Sequence, residues 1–296
     1  MDAAANIANN TAAAMTTGPW GQTLLFVLLL LGLAGVVGAW LVGPPWRVAW
    51  RRARIRRQPF PAPWRALLRQ QWPLYSRLPT ETQLRLKKHV QVLLAEVPFI
   101  GCGGLTVTDE VRVLVAAQAA LLLVGRRAGA FGVLRQVLVY PGHFVVQRSV
   151  ADGAGLVRDE RQTLAGESWQ HGQVVLAWDE VRAGAAVADD GRNVVVHEFA
   201  HQLDQEGGAA NGAPWLPGRA RAARWAAVMR NEFDALQQRL ARGEAGVLDP
   251  YAATNPAEFF AVASEVFFER PQALASNHPA LYAELRGLYR LDPLHW

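Results

Sequence analysis

The run Val194, Val195, Val196, His197, Glu198, Phe199, Ala200, His201 constrains the fold of this chain more than any other stretch. Successive helical residues turn by about 100°, so histidines four apart lie roughly 40° apart on one face and about 6 Å apart along the axis, and two imidazoles can grip one ion. Glu198 stands beside them without being a ligand. From there it can take a proton from a water that a bound zinc ion has made acidic. The His-Glu-x-x-His pattern also arises by chance on solvated helices. Here three valines lead into it, and Phe199, Ala200 and Leu203 carry an apolar pattern around the histidines, where a surface helix would be polar. The expectation is a zinc-dependent hydrolase.

Such a site needs a third protein ligand, usually from a later element, with a fourth position left open. Asp204, three residues after His201, shares the helical face, but its short side chain sits a turn beyond the ion. A hydrogen bond to a ligating histidine, or a helix-end role before Gly207 and Gly208, suits it better. Glu258 and Glu265 lie on a later helix. Seven residues apart, they are separated by about 10 Å along the axis and cannot both bind one ion. The sequence Asn255-Pro256-Ala257-Glu258 also reads as an N-cap, a proline at the first helical position and a capping-box glutamate, which accounts for Glu258 without a metal. Around Glu265, the apolar Val262, Val266 and Phe268 point to partial burial and a paired or supporting role.

The metal-helix sequence His-Glu-Phe-Ala-His-Gln-Leu-Asp (197–204) is accompanied by three longer segments. These are Asp-Pro-Tyr-Ala-Ala-Thr-Asn-Pro-Ala-Glu-Phe-Phe-Ala-Val-Ala-Ser-Glu-Val-Phe-Phe (249–268), Val-Leu-Val-Tyr-Pro-Gly-His-Phe-Val-Val (137–146) and Gly-Glu-Ser-Trp-Gln-His-Gly-Gln-Val-Val-Leu-Ala-Trp (166–178). With them, the chain from about residue 78 to 294 resembles the Mlc titration factor A family of zinc-dependent peptidases. The resemblance implies a zincin-like fold, aminopeptidase activity on a peptide or protein substrate, and binding of a glucose-responsive transcriptional repressor. It places the ligands of one zinc ion at His197, His201 and Glu258, with Glu198 as general base. Some relatives carry, in the loop matching 155–158, a histidine assigned to the metal; this chain has Arg158, which cannot ligate. Three ligands already make a chemically complete site. Related zincins also place a tyrosine hydroxyl near the scissile carbonyl. Tyr251, seven residues before Glu258, either folds back to donate to the developing oxyanion or packs the turn against the helix.

Residues 3–46 contain no charged side chain, and 24–43 are mostly apolar, just long enough to span a bilayer core. A cleaved signal peptide wants positive charge ahead of its apolar run, and only Asp2 precedes this one. Arg47, Arg51, Arg52, Arg54, Arg56 and Arg57 follow with no acid among them, which puts the C-terminal body in the cytoplasm, held at the inner membrane by a single pass. Trp40, Trp46 and Trp50 suit the interface. The net charge of +5 comes from this segment: setting its six arginines and Asp2 aside from 30 basic and 25 acidic residues leaves 24 of each in residues 58–296. A neutral body has no electrostatic footprint for direct nucleic-acid binding, and the arginines read as an anchor on anionic lipid. The lone Cys102 excludes an intramolecular disulfide, in keeping with a reducing cytoplasm.

Prolines 59, 61 and 63 mark residues 58–63 as an extended linker. Helical patterns follow at about 64–72, 80–96 and 109–124, strands at 137–147 and 173–181, and helices at 192–204, 218–242, 255–270 and 279–290. The stretch 109–124 is very apolar, but its length and Arg112 fit a buried core helix better than a second span. The expected class is α+β: a zincin-like domain over 58–296, mostly helical with a small sheet, preceded by an N-terminal unit (1–57) of tail, one transmembrane helix and basic juxtamembrane segment. The strand at 173–177, flanked by His171 and Trp178, either runs beside an extended peptide substrate or lies in the interior. Trp169, Trp178 and Trp215 line the cleft or simply pack. Two functions fit these features: a membrane-anchored zinc peptidase, and a non-catalytic membrane-anchored protein that sequesters a transcriptional regulator. An intact Glu198 favours the enzyme, since a structural zinc site has no use for a base.

Overall fold

The computed structural model describes residues 19–126, 131–151, 157–164, 166–169 and 172–296, with the backbone alone described at 19, 21, 34–45, 144–151, 157–164 and 167–169. The chain divides into two compact units, residues 1–57 and 58–296. The first contains one long helix, α1 (Pro19–Arg57). Its Leu24, Leu25, Phe26, Leu28, Leu29 and Leu31 are all exposed, and these positions go all the way round the helix. The expected span at 24–43 falls within α1, but from residue 34 onward it lies outside the described side chains. Among the described residues no helix is long and apolar enough to cross a membrane.

The second unit is mostly helical: α2 (Ala62–Gln71), α3 (Pro73–Arg77), α4 (Thr80–Glu96), α5 (Asp109–Leu121), α6 (Trp178–Ala186), α7 (Val194–Asp204), α8 (Arg219–Ala241), α9 (Pro256–Glu269), α10 (Pro271–Asn277) and α11 (Pro279–Tyr289). The last two residues of the expected 58–63 linker are helix, because Pro63 sits in the first turn of α2, where a missing N–H costs nothing. At the centre, α5 is capped by Thr108, whose hydroxyl accepts from the Val111 amide, and its residues Val113 to Leu121 are all buried. It stops at Leu121, short of the expected 124; Leu122 and Leu123 stay fully enclosed in the turns that follow.

A four-stranded sheet has the order β1 (Phe99–Gly101), β2 (Gln136–Tyr140), β6 (Gln173–Ala177), β5 (Gly166–Trp169). The first three strands run parallel and β5 runs antiparallel to β6. Val137, Val139, Val174 and Leu176 fill its core side. A separate hairpin pairs β3 (Phe144–Ala151) with β4 (Val157–Leu164).

Two expected strands are corrected. The one at 137–147 is two strands in two different sheets, broken at Pro141, which has no N–H for a ladder. The one at 173–181 ends at Ala177, and Trp178 begins α6, whose first turn carries Asp179 and Glu180 against the positive end of the helix. Helices α3 and α10, too short to show a period, each open on a proline.

Candidate metal centre

Helix α7 forms because Asn193 caps it, its side chain accepting from the Val196 amide at 3.0 Å, and because Val195, Val196, Phe199, Ala200 and Leu203 pack a continuous apolar stripe into the core. It lies against α9 on one side and β5, β6, α5 and α6 on others. Helix α9 is capped in turn by Asn255, which accepts from the amides of Ala257 and Glu258.

These two helices aim three side chains at one point. His197 Nε2 lies 2.9 Å from Glu258 Oε2, His201 Nε2 lies 3.4 Å from the same oxygen, and the two Nε2 atoms are 3.3 Å apart. For ligands about 2.0–2.1 Å from a tetrahedral ion, the edges between them should be roughly 3.3 Å. The triangle therefore fits a metal ion, and His197, His201 and Glu258 form a group that can hold one. The Asn255 cap expected at the start of α9 is present as well, while the Glu258 carboxylate turns to the imidazoles.

The second nitrogen of His197 fixes the ring. Nδ1 is 2.8 Å from Glu265 Oε1, an arrangement in which Nδ1 donates to the carboxylate and a neutral ring would present its Nε2 lone pair to an ion. Glu265 also accepts from the Asn193 amide at 2.5 Å. It sits on the far side of the imidazole from Glu258, as the separation of about 10 Å along a helix requires. Burial works against charge on His197, but Glu265 and Glu258 outweigh it and push its pKa well up. Burial likewise opposes ionisation of Glu258, but hydrogen bonds to His197 and His201 hold its pKa well below the usual carboxylate range. The site thus favours positive charge between the imidazoles and Glu258.

Glu198 is buried, one turn-face away from the ligands, and its Oε2 has no hydrogen-bond partner among the described residues. A buried carboxylate oxygen left unpaired is costly and calls for a functional explanation. Burial raises its pKa to about 7, with His197 and His201 pulling the other way. The backbone of Gly166 in β5 passes directly over it: a Cβ there would lie 2.6 Å from Glu198 Oε1 and 2.7 Å from Val194 Cγ2. Gly166, Glu198, His197, Tyr251 and Glu265 line one cleft of about 590 Å³.

Tyr251 is half-exposed at the mouth, in a 3₁₀ turn (Pro250–Ala253), with its ring centroid 6.0 Å from that of His197. Asp249 caps that turn through the Tyr251 amide and pairs with Arg192 at 2.7 Å. Of the two roles expected of it, Asp204 takes the one at the helix end: it is the last residue of α7, fully buried, and accepts from the amides of Gly212 and Ala213, clasping the following loop to the end of the helix.

Of the two readings of the strand at 173–177, the structure shows the interior one. β6 is paired on both sides, by β2 and β5, and has no free edge for a peptide; β5 is the edge strand on that side, and Gly166 carries it past Glu198. Of the tryptophans, Trp178 packs against the core, Trp215 lines a different cavity, and the Trp169 side chain lies outside the described residues, as do His171 and the side chain of Arg158. Sequence reasoning missed Gly166 and the buried network behind α7. In that network Asn193 Nδ2 donates to Gln118 Oε1 at 2.9 Å and to Glu269 Oε1 at 3.1 Å. The one signal for Gly166 is a glycine opening a strand, which marks a close approach.

A family model described as glucose-regulated metallo-peptidase M90 matches residues 47–290. The chain is 39% identical over 273 residues to an uncharacterised protein of Synechocystis sp., covering 92% of this chain and 98% of that one. It is 36% identical over 225 residues to Mlc titration factor A of Pectobacterium atrosepticum (75% and 84% covered) and 35% identical over 225 residues to that of Serratia proteamaculans (75% and 85%).

Proposed function

Because the chain belongs to the glucose-regulated metallo-peptidase M90 family, we propose that it is a zinc-dependent peptidase that hydrolyses peptide bonds with an activated water, most simply as an aminopeptidase. The observation that carries this is the convergence of His197, His201 and Glu258 on one point beside the unpaired, buried Glu198 oxygen. His197, His201 and Glu258 would hold the zinc ion, which would supply Lewis acidity toward the scissile carbonyl and the attacking water. Glu198 takes the proton from the attacking water and passes it to the leaving amine, a shuttle that needs the carboxyl to face the cleft without a permanent partner. Glu265 keeps His197 in the tautomer that presents Nε2. The edge of β5 at Gly166 offers backbone groups to an extended peptide, and Tyr251 at the mouth donates to the oxyanion.

Two further properties belong to the proposal. The name shared by several relatives, Mlc titration factor A, supports binding of a transcriptional repressor by this chain as well. Apolar side chains exposed all round α1, followed by the arginine run, support anchoring in the inner membrane with the 58–296 unit in the cytoplasm. A C-terminal reporter fusion should behave as cytoplasmic; protease protection that shows an external body refutes the anchor's orientation. For the enzyme, bound zinc and peptide hydrolysis are measured on the wild type and Glu198→Gln. The expected outcome is one zinc in both and turnover lost in the variant. Undiminished turnover in Glu198→Gln, or no zinc in the wild type, overturns it.

A further inference from the structure

Away from the metal cleft, and sharing no lining residue with it, a second cavity of about 650 Å³ is bounded by Arg126, Glu206, Trp215, Leu216, Arg221 and Arg290. Its size lies in the range of sites for small organic ligands. Its charge is one-sided. Arg126 and Glu206 neutralise each other through a 2.8 Å ion pair that is nearly enclosed, which leaves Arg221 and Arg290 as cations without an ion pair among the described residues. Arg221 spends one guanidinium nitrogen on the Gly287 carbonyl and keeps its other donors. The Arg290 side chain makes no ion pair or hydrogen bond among the described residues. Between them Trp215, 62% exposed, and the buried Leu288 provide apolar surface.

The walls are fixed. Asp204 clasps the loop that carries Trp215, and Trp225 Nε1 donates to the Gly212 carbonyl of the same loop. Arg224 pairs with Glu284 at 2.6 Å and ties α8 to α11. A Cβ on Gly125 would fall 2.1 Å from the Tyr289 carbonyl oxygen and 2.7 Å from that of Arg290, so only glycine lets the chain bring Arg126 alongside Arg290. Arg290 ends α11 in the left-handed conformation, with φ 53°, the only non-glycine residue with positive φ among those described. Glycine is the ordinary occupant of that position. An arginine there accepts a backbone penalty and places a guanidinium at the cavity's rim.

We propose that this cavity binds a small organic anion, a carboxylate or phosphate carried on a ring or aliphatic body, with Arg221 and Arg290 on the oxyanion and Trp215 against the body. Guanidinium forks match the geometry of both oxyanions, and an indole face suits a planar or aliphatic partner. The site is independent of the metal centre and of the proposed hydrolysis.

Titration calorimetry on the full chain at fixed ionic strength tests it with phenyl phosphate, benzoate, inorganic phosphate and benzyl alcohol as probes. Phenyl phosphate or benzoate should bind at least tenfold tighter than benzyl alcohol, and the better of the two identifies the oxyanion. Arg290→Gly should weaken that probe at least tenfold while leaving the fold intact, because glycine relieves the left-handed backbone. Trp215→Ala should erase the advantage of phenyl phosphate over inorganic phosphate. Arg230→Ala, which removes an exposed charge elsewhere on α8, should change nothing. Equal binding by the wild type and Arg290→Gly, equal weakening by Arg230→Ala, or no preference for the anions over benzyl alcohol overturns the assignment.

Discussion

Glu258→Gln and Glu265→Gln make the same chemical change seven residues apart on α9, and the structure gives them opposite profiles. Glu258 supplies one corner of the ligand triangle, at 2.9 and 3.4 Å from the two Nε2 atoms, and an amide there keeps the shape but loses the charge. Glu265 touches no ion position; it orients His197 from behind. Losing such a supporting partner costs about 10–100-fold in metal affinity, or about 1.4–2.7 kcal/mol, so losing the ligand itself should cost more than about 100-fold. Stability should rank the other way. Glu265 accepts two N–H groups, from His197 Nδ1 and the Asn193 amide, whereas a glutamine has one oxygen to offer and turns its own donors toward the second. One buried donor is then orphaned, at about 1–3 kcal/mol, which for a domain of this size lowers Tm by about 2–4 °C per kcal/mol. Dissociation constants come from competition with a chromophoric chelator, and Tm from the metal-stripped proteins. If Glu265→Gln loses more metal than Glu258→Gln, the ligand assignment fails.

Tyr251→Phe keeps the ring and removes the donor; zinc content should hold and kcat should fall at least about tenfold, while unchanged turnover leaves Tyr251 as a packing residue. Gly166→Ala forces a methyl to within 2.6 Å of the Glu198 carboxylate, so turnover should drop at least about tenfold with metal retained and Tm lowered by the about 1–3 kcal/mol of an overpacked site; normal kinetics in a folded variant would show that β5 does not press on Glu198. Burial raises the Glu269 carboxyl to about 9, above its ordinary 4.5, so its contribution to stability is complete below about pH 4.5 and is lost as pH rises toward 9. Urea unfolding of the wild type should therefore weaken across that window relative to Glu269→Gln, and parallel curves for the two proteins would refute a protonated Glu269.

Helix α7 was legible because its signal is local: a cap, an apolar stripe and two histidines at a helical spacing. Glu258 was legible only as one of two alternatives, since Asn255-Pro256-Ala257-Glu258 satisfies a capping box equally well until α9 is placed against α7. The sheet was harder. Val174 to Trp178 form an unbroken apolar run, and only the acidic pair Asp179 and Glu180 after it hints that the backbone turns helical at Trp178. Which strand is the edge depends on order, and order is a long-range property; β5 precedes β6 in sequence yet lies outside it. Asn193, Gln118 and Glu269 come from three separate elements, and their network has no sequence period at all.

Glu258 lies 61 residues along the chain from His197, with α8 and the Trp215 loop wholly in between. Any cation shared by the two is thus also a reversible cross-link closing a long loop. By the entropy that a disulfide of that span withdraws from an unfolded chain, such a closure amounts to about 4 kcal/mol. A metal-loaded molecule should then unfold and be degraded far more slowly than a stripped one, so cellular metal supply would set the protein's lifetime as well as its activity.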